Sequence, residues 1–206
     1  MQKSVSVPER MFRSAVIERA DATEDDRVIE PTFSSELPVA RWWGIEILGH
    51  KKSEVDLSFL DSGRAPFLVD HSRTVDDQVG VIEKAWLDSG KGRARVRFGK
   101  SARAAEFLIR VRDGELSNIS VGYDIRKLRL ESEADGVSTY RAIDWQPEEI
   151  SLVTVPADAT VGIGRSGDAK LKQLTLEEVK SMTTETETRA APAPAPAPAA
   201  PTPAPA

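Results

Sequence analysis

Residues 79 to 98 read Val79-Gly80-Val81-Ile82-Glu83-Lys84-Ala85-Trp86-Leu87-Asp88-Ser89-Gly90-Lys91-Gly92-Arg93-Ala94-Arg95-Val96-Arg97-Phe98. Val79, Val81, Ala85 and Leu87 recur in alternation before Asp88-Ser89-Gly90-Lys91-Gly92, and Ala94, Val96 and Phe98 alternate with Arg93, Arg95 and Arg97 after it. Apolar residues at a period of two on both sides of a glycine-containing turn predict a β-hairpin. The three arginines then share one strand face, which reads most simply as a solvated edge that discourages aggregation.

Outward from this hairpin, the chain from Arg10 to about Ser166 reads as short strands broken by turn residues, with one helix. Ile119 to Leu130 and Ser138 to Trp145 suggest a second strand pair, joined by the polar residues 131–136. Ile150 to Val155 suggests a further strand that stops at Pro156, which has no N–H to extend a ladder. The helix is predicted over Ala102 to Asp113, with Ser101 as N-cap, Phe107, Leu108 and Val111 on one face, and Gly114 placed to end it. Thr175-Leu176-Glu177-Glu178 fits a capping box that opens a short helix to about Met182. Beyond Met182 the chain is rich in Thr and Glu, and its last 17 residues hold 7 Pro and 9 Ala, a composition that favours extended polyproline II and packs no core. The expected fold class is α+β, mainly β. The expected division is an N-terminal arm over 1–9, the domain proper over 10–166, a short helical extension over 167–182, and a disordered tail or linker over 183–206.

Without that tail the 206-residue chain has the size of one ordinary domain. It carries 28 Lys and Arg against 33 Asp and Glu, and the formal charge of −5 argues against nucleic acid as the main partner. No apolar run approaches the roughly 20 residues of a membrane span, so a soluble protein with no membrane partner is expected. The first ten residues lack the apolar stretch of a signal peptide, which points to a cytoplasm. The absence of cysteine excludes disulfide scaffolds, thiolate zinc sites and Cys nucleophiles, and two histidines, His50 and His71, leave little for a histidine-rich metal site. Neither a metal nor a cofactor is expected, and nucleophilic chemistry would fall to Ser or Thr.

Three residues stand out for chemistry. His71 ends the apolar run Phe67-Leu68-Val69-Asp70; it is a structural or solvated histidine, an acid or base, or, with Asp70, Asp76 or Asp77, a metal ligand in a spacing that matches no familiar site. Alternation in Ile119-Ser120-Val121-Gly122-Tyr123 puts Ser120 and Gly122 on the face opposite the apolar residues. Ser120 there is either a hydroxyl on the wet side of a sheet or a nucleophile, with Gly122 leaving room for a substrate backbone. In Glu148-Glu149-Ile150-Ser151-Leu152, Glu149 and Ser151 likewise oppose Ile150 and Leu152. A serine nucleophile needs a histidine base, and the base works better when a carboxylate orients it, so Ser120, His71 and Glu149 could fill those roles.

Taken together these segments resemble the prohead maturation proteases of tailed bacteriophages, relatives in fold of the herpesvirus assemblins. The likeness runs from about Arg13 to Arg165. It is carried by the apolar run into His71 followed by Gly80, the block from Gly114 to Tyr123, and Glu149-Ile150-Ser151-Leu152-Val153 followed by Pro156-Ala157, with Trp42-Trp43-Gly44-Ile45 upstream. The resemblance implies a β-barrel flanked by a few helices and a serine endopeptidase with Ser120 as nucleophile, His71 as base and Glu149 as third member, Asp144 and Asp158 being alternatives for that last place. It further implies scaffold and major capsid protein as substrates, cleavage of its own chain, action inside the procapsid in the host bacterial cytoplasm, and a homodimer. The backbone after Pro156, near residues 158–162, is a candidate for the oxyanion donors, and Arg93, Arg95 and Arg97 are a candidate surface for acidic scaffold. The rival reading is a non-enzymatic β-barrel scaffold or capsid-assembly adaptor.

Overall fold

The computed structural model describes residues 4–16, 26–155 and 171–177. Twelve strands form one curled sheet: β1 (Ser4–Pro8), β2 (Met11–Val16), β3 (Val28–Ile29), β4 (Thr32–Ser35), β5 (Val39–Arg41), β6 (Gly44–Leu48), β7 (Ala65–Val69), β8 (Gln78–Asp88), β9 (Lys91–Phe98), β10 (Asn118–Ala134), β11 (Val137–Leu152) and β12 (Leu171–Glu177). The main path runs β1-β12-β10-β11-β7-β8-β9-β3, with β2 beside β10, β4 beside β9, and β6 carrying β5 beside β11. The mainly β class read from the sequence holds.

The 79–98 hairpin is β8 and β9, turned by Ser89 and Gly90 at φ 50° and 73°. Two successive left-handed residues match the right-handed twist of the flanking strands. Asp135 and Gly136 repeat the device between β10 and β11, at φ 52° and 75°. The helix α1 (Ala102–Arg112) is capped by Ser101, whose hydroxyl accepts from the Ala104 N–H, and Gly114 leaves it at φ 78°. Its buried side chains, Ala104, Phe107, Leu108 and Val111, pack toward β8 and β9. Each of the larger ones contributes about 1.5–3 kcal/mol by leaving water.

Four expectations change. Ile150 to Leu152 is the end of β11 and not a separate strand, because the ladder to β10 continues past Pro147 through a bulge. Thr175 to Glu177 lies in β12, paired with β1 and β10, so the helix expected to open at Thr175 does not start there; a free capping box is too short to hold a helix against a ladder. Within the expected N-terminal arm, Ser4–Pro8 form a strand, β1, that joins the sheet through β12. The Arg93, Arg95 and Arg97 strand is paired on both sides, and Arg95 and Arg97 form ion pairs with Glu30 and Glu83. It is an interior strand, not an edge. The expected tail over 183–206 and the backbone of 158–162 lie outside the described residues.

Polar groups tie the interior together. Arg141 forks onto Glu54 with bonds of 2.9 and 3.0 Å, and also reaches Glu36. Tyr123 donates to Glu46 at 2.6 Å and accepts from Arg41, which also binds the Phe12 carbonyl and so pins β2. Burial, with Glu46 adding to it, pushes the Tyr123 phenol well above its ordinary range, so it stays a donor. Trp43 packs on Tyr140 while Trp42 stands exposed. Among the described residues no helix is long and apolar enough to cross a membrane.

Candidate active site

Three strands lie side by side under the site. Ser120 of β10 pairs with Ser14 of β2 and Ser151 of β11, and Gly122 pairs with Phe12 and Glu149. Directly opposed residues share a face, so Ser14, Ser120 and Ser151 form one row, and Phe12, Gly122 and Glu149 the next. Leu68 of β7 extends the first row beyond Ser151. A bulge lies beside Glu149: Pro147 opposes Tyr123 and Glu149 opposes Gly122, which leaves Glu148 as an extra residue. Alternation with Ile150 and Leu152 sets the face of Glu149 and Ser151, and the inserted residue lets Trp145 and Pro147 before it share the core face with Ile150 and Leu152 after it.

His71 arrives from β7 through a left-handed turn, with Asp70 at φ 49° and His71 at φ 59°. Such angles cost of order 1–3 kcal/mol each for residues other than glycine, and they persist where surrounding bonds over-determine them. Here the Asp70 N–H donates to the Leu152 carbonyl at 2.8 Å, the His71 N–H to Ser151 Oγ at 3.2 Å, and the Ser72 N–H to the Val69 carbonyl at 3.0 Å. The turn delivers His71 Nδ1 to within 2.6 Å of Glu149 Oε1. In the neutral ring that contact places the proton on Nδ1 and leaves the Nε2 lone pair open.

Glu149 is 1% exposed and fully engaged. Oε1 also accepts from Arg10 Nη2 at 2.9 Å, and Oε2 accepts from the Ser151 hydroxyl at 2.6 Å. A buried carboxylate needs such countercharge and donors. Burial pulls the Arg10 guanidinium below its ordinary value even with Glu149 opposing the shift. The Arg10 guanidinium also stacks on Phe12 at 4.9 Å, and the Phe12 ring lies 4.1 Å from the imidazole.

Ser120 and His71 meet this geometry with free valences. Ser120 Oγ, Ser14 Oγ and His71 Nε2 are buried and have no hydrogen-bond partner among the described residues. Ser120 sits diagonally from Glu149 across the β10–β11 pair, a spacing of about 7–8 Å, and His71 Nε2 and Ser120 Oγ are not hydrogen-bonded to each other. Orphaned buried polar groups in a folded protein call for an explanation, and here two of them belong to a candidate nucleophile and its base.

Of the residues singled out in the sequence, His71 and Glu149 are in contact and Ser120 shares their face. That face is not the wet side: Ser120 and Ser151 are completely buried. Asp144 pairs with Arg126 at 3.6 Å, and Asp158 lies outside the described residues. Asp77 is taken by Ser72, Thr74 and Arg103, and among the described residues no three acidic or histidine side chains converge as a metal site. His50, the other histidine, is held by Ser34 at Nε2 and by the Leu48 carbonyl at Nδ1, and burial pulls its imidazole down toward the neutral form. Among the described residues no carboxylate bonds its ring, and it reads as a core group.

The sequence missed Arg10, Phe12 and Ser151. For Ser151 a signal existed, since it alternates onto the face of Glu149. For Arg10 none did, because 139 residues separate it from Glu149.

A model of the caudovirus prohead serine proteases matches residues 53–175, a stretch that contains His71, Ser120 and Glu149. The chain belongs to this family. It is 45% identical over 145 residues to the major capsid protein of Halomonas phage phiHAP-1, an alignment that takes in 69% of this chain and 24% of that protein. The chain therefore spans about a quarter of the length of the capsid protein it matches. The capsid assembly protease gp21 of bacteriophage T4 superposes with a TM-score of 0.46 at 11% identity, over 75% of this chain and 99% of that one. The family match begins after β1 and β2, so Arg10 and Phe12 lie outside it.

Proposed function

We propose that the protein is a serine endopeptidase of procapsid maturation, with Ser120 as nucleophile, His71 as general base and Glu149 as the group that orients His71. The observation that carries the reading is the 2.6 Å contact of His71 Nδ1 with Glu149, which leaves His71 Nε2 and Ser120 Oγ as buried, unpartnered atoms on one face. His71 Nε2 takes the Ser120 proton as Oγ attacks a peptide carbonyl, the imidazolium gives that proton to the leaving amine, and a water activated the same way releases the acyl-enzyme. Glu149 keeps the imidazole in the Nδ1–H tautomer and stabilises its cation, while Ser151 and Arg10 hold the carboxylate. Backbone donors facing the tetrahedral oxyanion would contribute about 3 kcal/mol each. The Ser120 hydroxyl is covered in this conformation, so a productive peptide displaces its cover.

The substrates we infer are segments of scaffold and major capsid protein, and the chain itself, cut inside the procapsid in the host bacterial cytoplasm by a homodimer. Family membership and the capsid-protein relative support capsid proteins as substrates and action inside the procapsid. Co-expression of wild type and Ser120→Ala with the neighbouring capsid or scaffold protein, read by intact mass, tests it. Fragments present only with wild type are expected. Identical masses with both folded proteins would favour a capsid-assembly adaptor.

A further inference from the structure

A cavity of about 520 Å³ opens on the β7 side of Glu149, away from β10. Its volume falls in the range of about 300–1,000 Å³ usual for ligand sites. Pro66 and Leu68 of β7 lie in it, and Leu68 shares the sheet face of Ser151 and Ser120. Of the proposed catalytic groups, Glu149 lines the cavity, which places the cavity beside the site. Two more lining residues, Val75 at 89% and Phe59 at 38% exposure, are large apolar side chains left open to solvent. Val75 stands in the segment that follows His71, between β7 and β8.

The charges around this cavity are already matched. Arg73 binds Glu148 at 2.5 Å, Glu148 also meets Arg10 at 3.3 Å, and Glu149 is taken by His71, Arg10 and Ser151. A charged guest would gain no free counterion and would lose its hydration, whereas a large apolar guest would bury itself against Pro66, Leu68, Val75 and Phe59, with Thr74, Gln78 and Gln146 also lining the cavity. We propose that this cavity is a specificity subsite of the protease, and that it takes a large apolar side chain of the peptide being cut. The proposal rests on the endopeptidase reading and gives it a substrate preference.

The test uses the full chain and a mixture of peptides from a protease-digested bacterial proteome, with cleaved bonds mapped by mass spectrometry. Wild type, Ser120→Ala, Val75→Asp and Phe59→Ala are compared, each shown by circular dichroism to be folded. Val75 is exposed enough for its substitution to spare the core. Wild type is expected to show one position near the cut bond enriched in Leu, Ile, Met or Phe. Phe59→Ala should weaken that preference, and Val75→Asp should lower kcat/KM for such peptides about tenfold while raising acceptance of Lys or Arg at the same position. Cutting by wild type without an apolar position, or an unchanged preference in both variants, overturns the subsite and leaves the protease reading standing. No cutting by folded wild type, or equal cutting by Ser120→Ala, overturns the protease reading and the subsite with it.

Discussion

Replacing Gly122 by alanine should silence the site while sparing the fold. Gly122 has an extended backbone that alanine adopts, and removing a glycine from the unfolded chain would by itself stabilise by about 0.4–1 kcal/mol. The added methyl, however, would overlap Glu149 Oε1 and come within 2.7 Å of Arg10 Nη2. Glu149 would have to retreat by on the order of 1 Å, and a displacement of that size at a catalytic group costs roughly 10²-fold in rate. That is about 2.7 kcal/mol of transition-state stabilisation. The assay is kcat/KM for Ser120-dependent cleavage beside a thermal melt. A loss of about 10²-fold with the melting temperature held within a few degrees is expected. Adding Arg10→Ala should restore nothing, because the overlap with Glu149 remains. Activity of Gly122→Ala within about threefold of wild type would refute the claim that the position of Glu149 governs His71.

Ser151→Ala removes the donor to Glu149 Oε2 and the acceptor of the His71 N–H together. It should cost about 1–3 kcal/mol of stability and lower kcat, with Ser151→Thr recovering most of the rate, as kinetics and melts of both would check. Acid should destabilise the protein in two pH windows. Burial holds His50 below its ordinary 6.5, so its contribution is complete above 6.5 and fades as pH falls below that. Burial would raise Glu36 and Glu54, but the Arg141 hydrogen bonds prevail and keep both below 4.5, so their contribution is lost as pH falls beneath 4.5 through the lowered values. Melting temperature against pH should show both declines, and Arg141→Met should erase the second at a cost of about 3–5 kcal/mol near neutrality.

The sequence alone determined what depends on local rules. A period of two around Ser89-Gly90 fixes the 79–98 hairpin, because side-chain alternation and left-handed turn residues are properties of neighbours along the chain. The same alternation put Ser120, Gly122, Glu149 and Ser151 opposite their apolar neighbours, and the order of short motifs pointed to the family. Tertiary structure decided what depends on register and distance. The bulge at Glu148 lets Trp145 and Pro147 stay on the core face, the left-handed turn at Asp70 and His71 brings Nδ1 to the carboxylate, and the start of β2 brings Phe12 and the preceding Arg10 onto the pair. The short polar run at Thr175 reads as a helix start in isolation, yet it pairs as a strand, since ladder bonds to β1 outweigh a single cap. Whether a polar strand face is wet or buried is set by what folds over it, and those groups come from segments up to 139 residues away.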